Sequence, residues 1–197
     1  MLHQKSKRFI SASATLLALI GIAIAARTLG EKPQSQNSRS ILIRPAPAAD
    51  QRFAYGGSEF QFGELRLPKT PGPHPVAVVI HGGCWVSQYG LGYMGHVSAA
   101  LTESGVATWN IEYRRVGNAG GGWPGTAEDV ARATDYLREI ATKYSLDLTR
   151  VVAIGHSAGG QLALLLGARR RLPKDHPLYS ANPLPLAGVV SLAGITD

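Results

Sequence analysis

The chain has 197 residues, room for one domain, and its 45% hydrophobic and 17% charged residues suit a globular body with a real core. The net charge of +7 sits largely at the N-terminus: residues 1–30 hold Lys5, Lys7, Arg8 and Arg27 and no acid, and removing these four leaves 16 basic residues against 13 acidic ones, or +3. Beyond residue 30 there is one tight basic run, Arg169-Arg170-Arg171, which reads as a solvated face or a helix terminus, so no nucleic-acid partner is expected.

Residues 1–29 read as an export signal or an N-terminal membrane anchor. Lys5, Lys7 and Arg8 form a positive start, residues 9–26 form an uncharged and mostly apolar run, and Ala23-Ile24-Ala25 offers a small-x-small cleavage site. Left uncleaved, the run is at the lower edge of the length that spans a bilayer, and the preceding charges would send the body outward. Either way the body is expected outside the cytoplasm, periplasmic or secreted. Residues 30–51 are polar and Pro-rich and read as a linker, leaving 52–197 as the domain.

The domain alternates strand and helix signals. Phe60 to Leu67 alternates apolar and polar residues, as an edge or half-buried strand does. After a Pro/Gly turn from Pro68 to Pro75, Val76 to Ile80 is a continuous apolar run, the mark of a strand buried on both faces. A weak helix is expected near Tyr93 to Ser104, stopped by Gly105, and then a strand from Val106 to Tyr113. Thr126 to Lys143 carries the clearest helical period, with Thr126 and Asp129 at capping-box spacing. Val151 to Ile154 predicts a buried strand, Gln161 to Arg170 a helix and Val189 to Leu192 a last strand. This alternation predicts an α/β fold, a mostly parallel sheet covered by helices on both faces.

Two motifs carry chemistry. Gly155-His156-Ser157-Ala158-Gly159, extended by Gly160, is a G-x-S-x-G between a Val/Ile strand and an apolar helix. There a sharp strand-to-helix turn presents a serine, and small neighbours let backbone come close. Ser157 is therefore the candidate nucleophile. His81-Gly82-Gly83-Cys84-Trp85 directly follows the strand ending at Ile80. Two glycines let backbone N–H groups face a developing oxyanion with no side chain in the way. The expected oxyanion hole comprises the N–H groups of Gly82 and Gly83 with that of Ala158, and the Cys84 N–H is an alternative to one of the glycines. His81 and Trp85 are expected to hold the loop, His156 to point away from the nucleophile, and residues 120–123 to line a pocket or form a loop.

These segments, HGGCW at 81–85 and GHSAGG at 155–160, resemble the α/β-hydrolase fold esterases and lipases, most nearly the hormone-sensitive-lipase-like carboxylesterases and the kynurenine-formamidase-like group. Asn110 to Arg114 and Gly122 to Thr126 resemble strand-end and helix-start segments of that group, so the similarity covers roughly residues 59–197. In that fold the order is serine, then Asp or Glu, then His. After Ser157 the acids are Asp175 and Asp197 and the histidine is His176. Asp175 and His176 are adjacent in a loop, a poor arrangement for base and orienter. The acid and the histidine are accordingly expected beyond residue 197, and the fold to be C-terminally incomplete. The resemblance implies a serine hydrolase that cleaves carboxylic esters through a Ser157 acyl-enzyme, with a small-molecule ester or amide as its partner and no metal or organic cofactor. Rival readings are an amidase, arylformamidase or aminopeptidase-like hydrolase, and a non-catalytic hydrolase-fold binding protein or inactive truncated product.

Overall fold

The structure, a computed structural model, describes residues 44–196. The expected leader, most of the expected linker and Asp197 lie outside the described residues. The body of the chain is the unit from Pro45 onward. Among the described residues, no helix is long and apolar enough to cross a membrane.

Six strands form one sheet: β1 Gln51–Ala54, β2 Phe62–Arg66, β3 His74–Ile80, β4 Ala107–Ile111, β5 Leu146–His156 and β6 Gly188–Leu192. Their spatial order is β1-β2-β4-β3-β5-β6. The first two junctions are antiparallel, and β4, β3, β5 and β6 run parallel. The helices are α1 Gly95–Glu103, α2 Gly125–Asp135, α3 Leu137–Ile140 and α4 Ala158–Ala168, with 3-10 turns at Leu91–Met94 and Arg169–Arg171.

The two-residue period of β4 explains how both faces are covered. Trp109 faces one side, where its indole N–H donates to Ala133 O of α2 at 2.8 Å. Thr108 and Asn110 face the other, where Thr108 Oγ1 meets Thr102 of α1 at 3.1 Å and Asn110 Nδ2 donates to Leu91 O at 3.0 Å. Trp109 is fully buried among the core residues Leu65, Val78, Val130 and Ala133. Trp109→Ala is expected to destabilise the fold by about 3–5 kcal/mol, lowering the melting temperature by roughly 10 °C in a calorimetric scan.

Several sequence expectations need correction. The strand expected over Phe60 to Leu67 is confined to Phe62–Arg66 and is not an edge, because β1 covers it. β1 begins at Gln51, the last residue of the expected linker, and the preceding residues also touch the domain. Asp50 accepts the Leu67 N–H at 2.7 Å, and Pro47 O accepts from Arg66 at 2.8 Å. Four mostly exposed residues leave no periodic trace, so β1 is invisible to pattern reading.

The long helix expected over Thr126 to Lys143 is α2 and α3, ending at Ile140. The chain turns through Ser145 at φ 51° and enters β5 at Leu146, five residues ahead of the expected strand start. Thr126 does not cap the helix. Its hydroxyl donates to Arg114 O at 2.5 Å and accepts from the Gly122 N–H at 3.0 Å. Asp129 is fully buried and takes the Arg114 guanidinium at 2.7 and 2.8 Å, the Arg114 N–H at 3.0 Å and Gln61 at 2.6 Å. Tertiary partners thus claimed the capping-box residues. The helix expected from Gln161 to Arg170 starts earlier, at Ala158. Nor is Arg169 solvated: it is buried and paired with Asp135 at 2.7 Å.

Candidate active site

β5 delivers Ser157 at its C-terminal end and α4 starts on the next residue. Ser157 has φ 53° and ψ −121°, a strained left-handed conformation for a residue with a side chain. The surrounding structure enforces it. Ser157 N–H donates to Leu192 O of β6 at 2.9 Å, and Ser157 O accepts the Gly160 N–H at 2.8 Å. A Cβ on Gly155 would overlap the Gly159 carbonyl, and one on Gly159 would lie 2.5 Å from His81 O. The glycines at −2 and +2 therefore let strand and helix meet, and let the helix start touch the end of β3.

The segment after β3 lies against this turn. A Cβ on Gly82 would sit 2.5 Å from His156 O and 3.1 Å from Ser157 Cβ, so the Gly82 backbone passes directly beside the serine. Gly83, Cys84 and Trp85 follow with φ of 115°, 51° and 58°. The loop is closed by Val86 N–H to Gly83 O at 3.0 Å and Val116 N–H to Trp85 O at 2.8 Å. These bonds leave the N–H groups of Gly82, Gly83 and Cys84 without a partner among the described residues. Ala158 N–H stands at the first position of α4, where helix geometry supplies no intrahelical acceptor. The structure thus places Gly82 beside Ser157, with Ala158 next in the chain and Gly83 following Gly82 in the loop against Tyr89.

His81 is fully buried, with Nδ1 2.8 Å from Gly82 O and Nε2 3.0 Å from Glu112 Oε1. Its ring stacks on Tyr113 at 4.3 Å. His156 Nδ1 lies 2.8 Å from the Tyr93 hydroxyl. Trp85 is half-buried against the core and also lines a cavity of about 250 Å³ with Cys84, Val116, Gly122, Trp123 and Leu165. Two of the residues expected at the pocket, Gly122 and Trp123, are therefore on its wall. His176 Nδ1 accepts the Leu178 N–H at 3.1 Å and its ring lies edge-on to Trp123. Ser157 Oγ makes no side-chain hydrogen bond among the described residues.

Glu112, within Asn110 to Arg114, has no role legible in the sequence, because an acid at a strand end carries no local signal. In space it is a hub. Oε1 meets His81 and accepts the Tyr113 N–H at 3.0 Å, and Oε2 accepts the Leu91 N–H at 2.9 Å. Arg115 Nη1 is 3.4 Å away. Burial works to raise the Glu112 pKa, but His81, the Leu91 N–H and Arg115 together outweigh it and hold the carboxyl below its ordinary value. A depressed carboxylate stabilises the fold above its unfolded value of 4.5, and that contribution is lost as pH falls through the lower folded value. Glu112→Gln is therefore expected to flatten the dependence of stability on pH below about 4.5, measured by urea unfolding across the acid range.

Residues 64–197 match the family model BD-FAE. A neutral cholesterol ester hydrolase 1 of Rattus norvegicus is 38% identical over 119 residues, 56% of this chain and 29% of that protein. Among solved structures, a truncated form of a carbohydrate esterase from gut microbiota has a TM-score of 0.63 at 23% identity, covering 76% of this chain and 59% of that one. A bacterial heroin esterase has a TM-score of 0.54 at 26% identity, covering 84% and 48%. The chain thus spans under a third of the length of the curated relative and about half to three-fifths of these structures.

Proposed function

The chain belongs to the BD-FAE family, within the α/β-hydrolase esterases and lipases, and from that premise we propose that it is a serine hydrolase that cleaves carboxylic esters through an acyl-enzyme on Ser157. The observation that carries the proposal is the strained φ of 53° at Ser157, at the tip of β5, with the Gly82 backbone beside it. Such strain persists only where the surroundings over-determine it. It presents the hydroxyl at the mouth of the sheet, ahead of the positive end of α4.

In the proposed reaction Ser157 Oγ attacks the ester carbonyl and loses its proton to a base. The N–H groups of Gly82, Gly83 and Ala158 receive the oxyanion, the alcohol leaves, and water releases the acid. Donors aimed in advance at the developing charge need no reorganisation as it forms. The turnover and substrates of the whole protein belong to the same proposal, together with the base and its orienting carboxylate. The cavity beside Cys84, walled by Trp85, Val116, Trp123 and Leu165, supports an apolar group on one side of the scissile bond. Export, by cleavage or anchoring at residues 9–26, is proposed on the sequence of the leader alone.

Competing turnover of p-nitrophenyl esters against N-formyl and amino-acid amides tests the ester assignment. Ester hydrolysis is expected to exceed amide hydrolysis by about 100-fold or more in kcat/KM, because an amine is the poorer leaving group. Preference for the amide would replace the ester reading with the amidase one.

A further inference from the structure

We infer that Gln161 is a specificity-determining residue, and that the ester it selects carries an apolar acyl group with a hydroxyl on its third carbon, counting the scissile carbonyl as the first. The inference deepens the proposed function and rests on it: it takes Ser157 as the nucleophile and the cavity beside Cys84 as the place of one substrate group.

The wall of that cavity sets the chemistry of its occupant. The rings of Trp85 and Trp123 and the side chains of Val116, Leu162 and Leu165 make it apolar, and none of the described residues that line it is charged. A carboxylate or an ammonium there would lose hydration and gain no partner, so the wall selects a neutral group. Two of its side chains carry oxygen, Thr126 and Gln161. The Thr126 hydroxyl is already engaged, donating to Arg114 O and accepting from the Gly122 N–H. The backbone N–H of Gln161 donates to Ser157 O at 3.3 Å, but its half-buried side-chain amide makes no hydrogen bond with any described residue. An amide offers both an acceptor and donors, so it can take the O–H of a hydroxyl or give to its oxygen, whereas the indole N–H of a tryptophan only donates.

Helix geometry sets the reach. Ala158, Gln161, Leu162 and Leu165 stand at i, i+3, i+4 and i+7 of α4 and so share one face, which the last three turn onto the cavity. Long side chains of a helix lean back towards its N-terminus, which here is the turn of Ser157. Gln161 therefore leans towards Ala158, whose N–H is a proposed oxyanion donor, and neighbours at this spacing stand about 5–6 Å apart. With the substrate carbonyl oxygen at that donor, the amide meets a polar atom about three bonds from the scissile carbon, not one at the far end of the group. The occupant is assigned to the acyl side because the alcohol has to depart. A walled space suits the group that stays bonded to Ser157 between the two steps, and the open side suits the leaving group.

Two pairs of esters test this in the complete protein: ethyl 3-hydroxyhexanoate against ethyl hexanoate, and 2-hydroxyhexyl acetate against hexyl acetate, with kcat/KM read from acid release. The wild type is expected to favour the 3-hydroxyacyl ester about tenfold or more, because the plain ester leaves the amide unpaired in an apolar pocket, and to treat the alcohol pair alike within about threefold. Gln161→Met keeps the length of the side chain and removes both hydrogen-bonding groups. In it the acyl preference is expected to vanish, as turnover of the hydroxy ester falls and that of the plain ester rises. The amide has no partner in the fold, so this variant is expected to melt within about 2 °C of wild type; if it does not fold, the wild-type pairs decide. Equal rates on the acyl pair in the wild type, or a preference that persists in Gln161→Met, overturn the role of Gln161. A preference confined to the alcohol pair overturns the acyl assignment. If none of the four esters is hydrolysed, the hydrolase reading itself fails, whereas hydrolysis without discrimination leaves that reading standing and removes only the selection.

Discussion

Ser157→Ala in the complete protein is expected to lower kcat on a carboxylic ester by about 10⁴- to 10⁶-fold, with KM little changed. The substitution removes the one atom proposed to form the acyl bond. It leaves the backbone bonds of the turn, Ser157 N–H to Leu192 O and Gly160 N–H to Ser157 O, in place. The variant is therefore expected to fold, and an unchanged far-ultraviolet circular dichroism spectrum checks that the loss is chemical. Residual turnover above the uncatalysed rate is expected from the proposed oxyanion donors alone. Unchanged turnover would remove Ser157 from the mechanism.

Gly155→Ala is expected to be the most damaging single-methyl change in the elbow. The added carbon would overlap the Gly159 carbonyl and lie 2.7 Å from the Gly160 N, all backbone, so no side chain can swing aside. β5 and α4 would have to part at the point where Ser157 is strained. Overpacking of this kind costs about 3 kcal/mol or more, or roughly 6–12 °C in melting temperature for a domain of this size. Activity is expected to fall with stability, because the same displacement moves the Ala158 N–H and the serine relative to Gly82. A melting temperature within about 2 °C of wild type would contradict the packing described for the elbow.

The sequence was most informative where one short segment decides a structure. Val76 to Ile80 is apolar without interruption and forms the fully buried part of β3, and the serine motif lies between a strand and a helix, the context it requires. It was least informative where the deciding partner is distant in the chain. Thr126 and Asp129 matched a capping box, but Arg114 and Gln61 took them. Arg169 belongs to a run that reads as a solvated face or a helix terminus; it does stand at the helix end, but Asp135 draws its side chain inside. Glu112 has no local signature, because its meaning comes from His81, 31 residues earlier, and from Leu91, 21 residues earlier. β1 is four mostly exposed residues held by backbone pairing and the Arg52–Glu64 contact, and such a strand has no periodic signal to read.

Mass spectrometry of the complete protein after exposure to a serine-reactive organophosphonate tests directly whether Ser157 is the nucleophile. A single covalent adduct is expected, mapped by peptide sequencing to Ser157 and lost in Ser157→Ala. An adduct on another residue, or labelling that persists in the alanine variant, would contradict it.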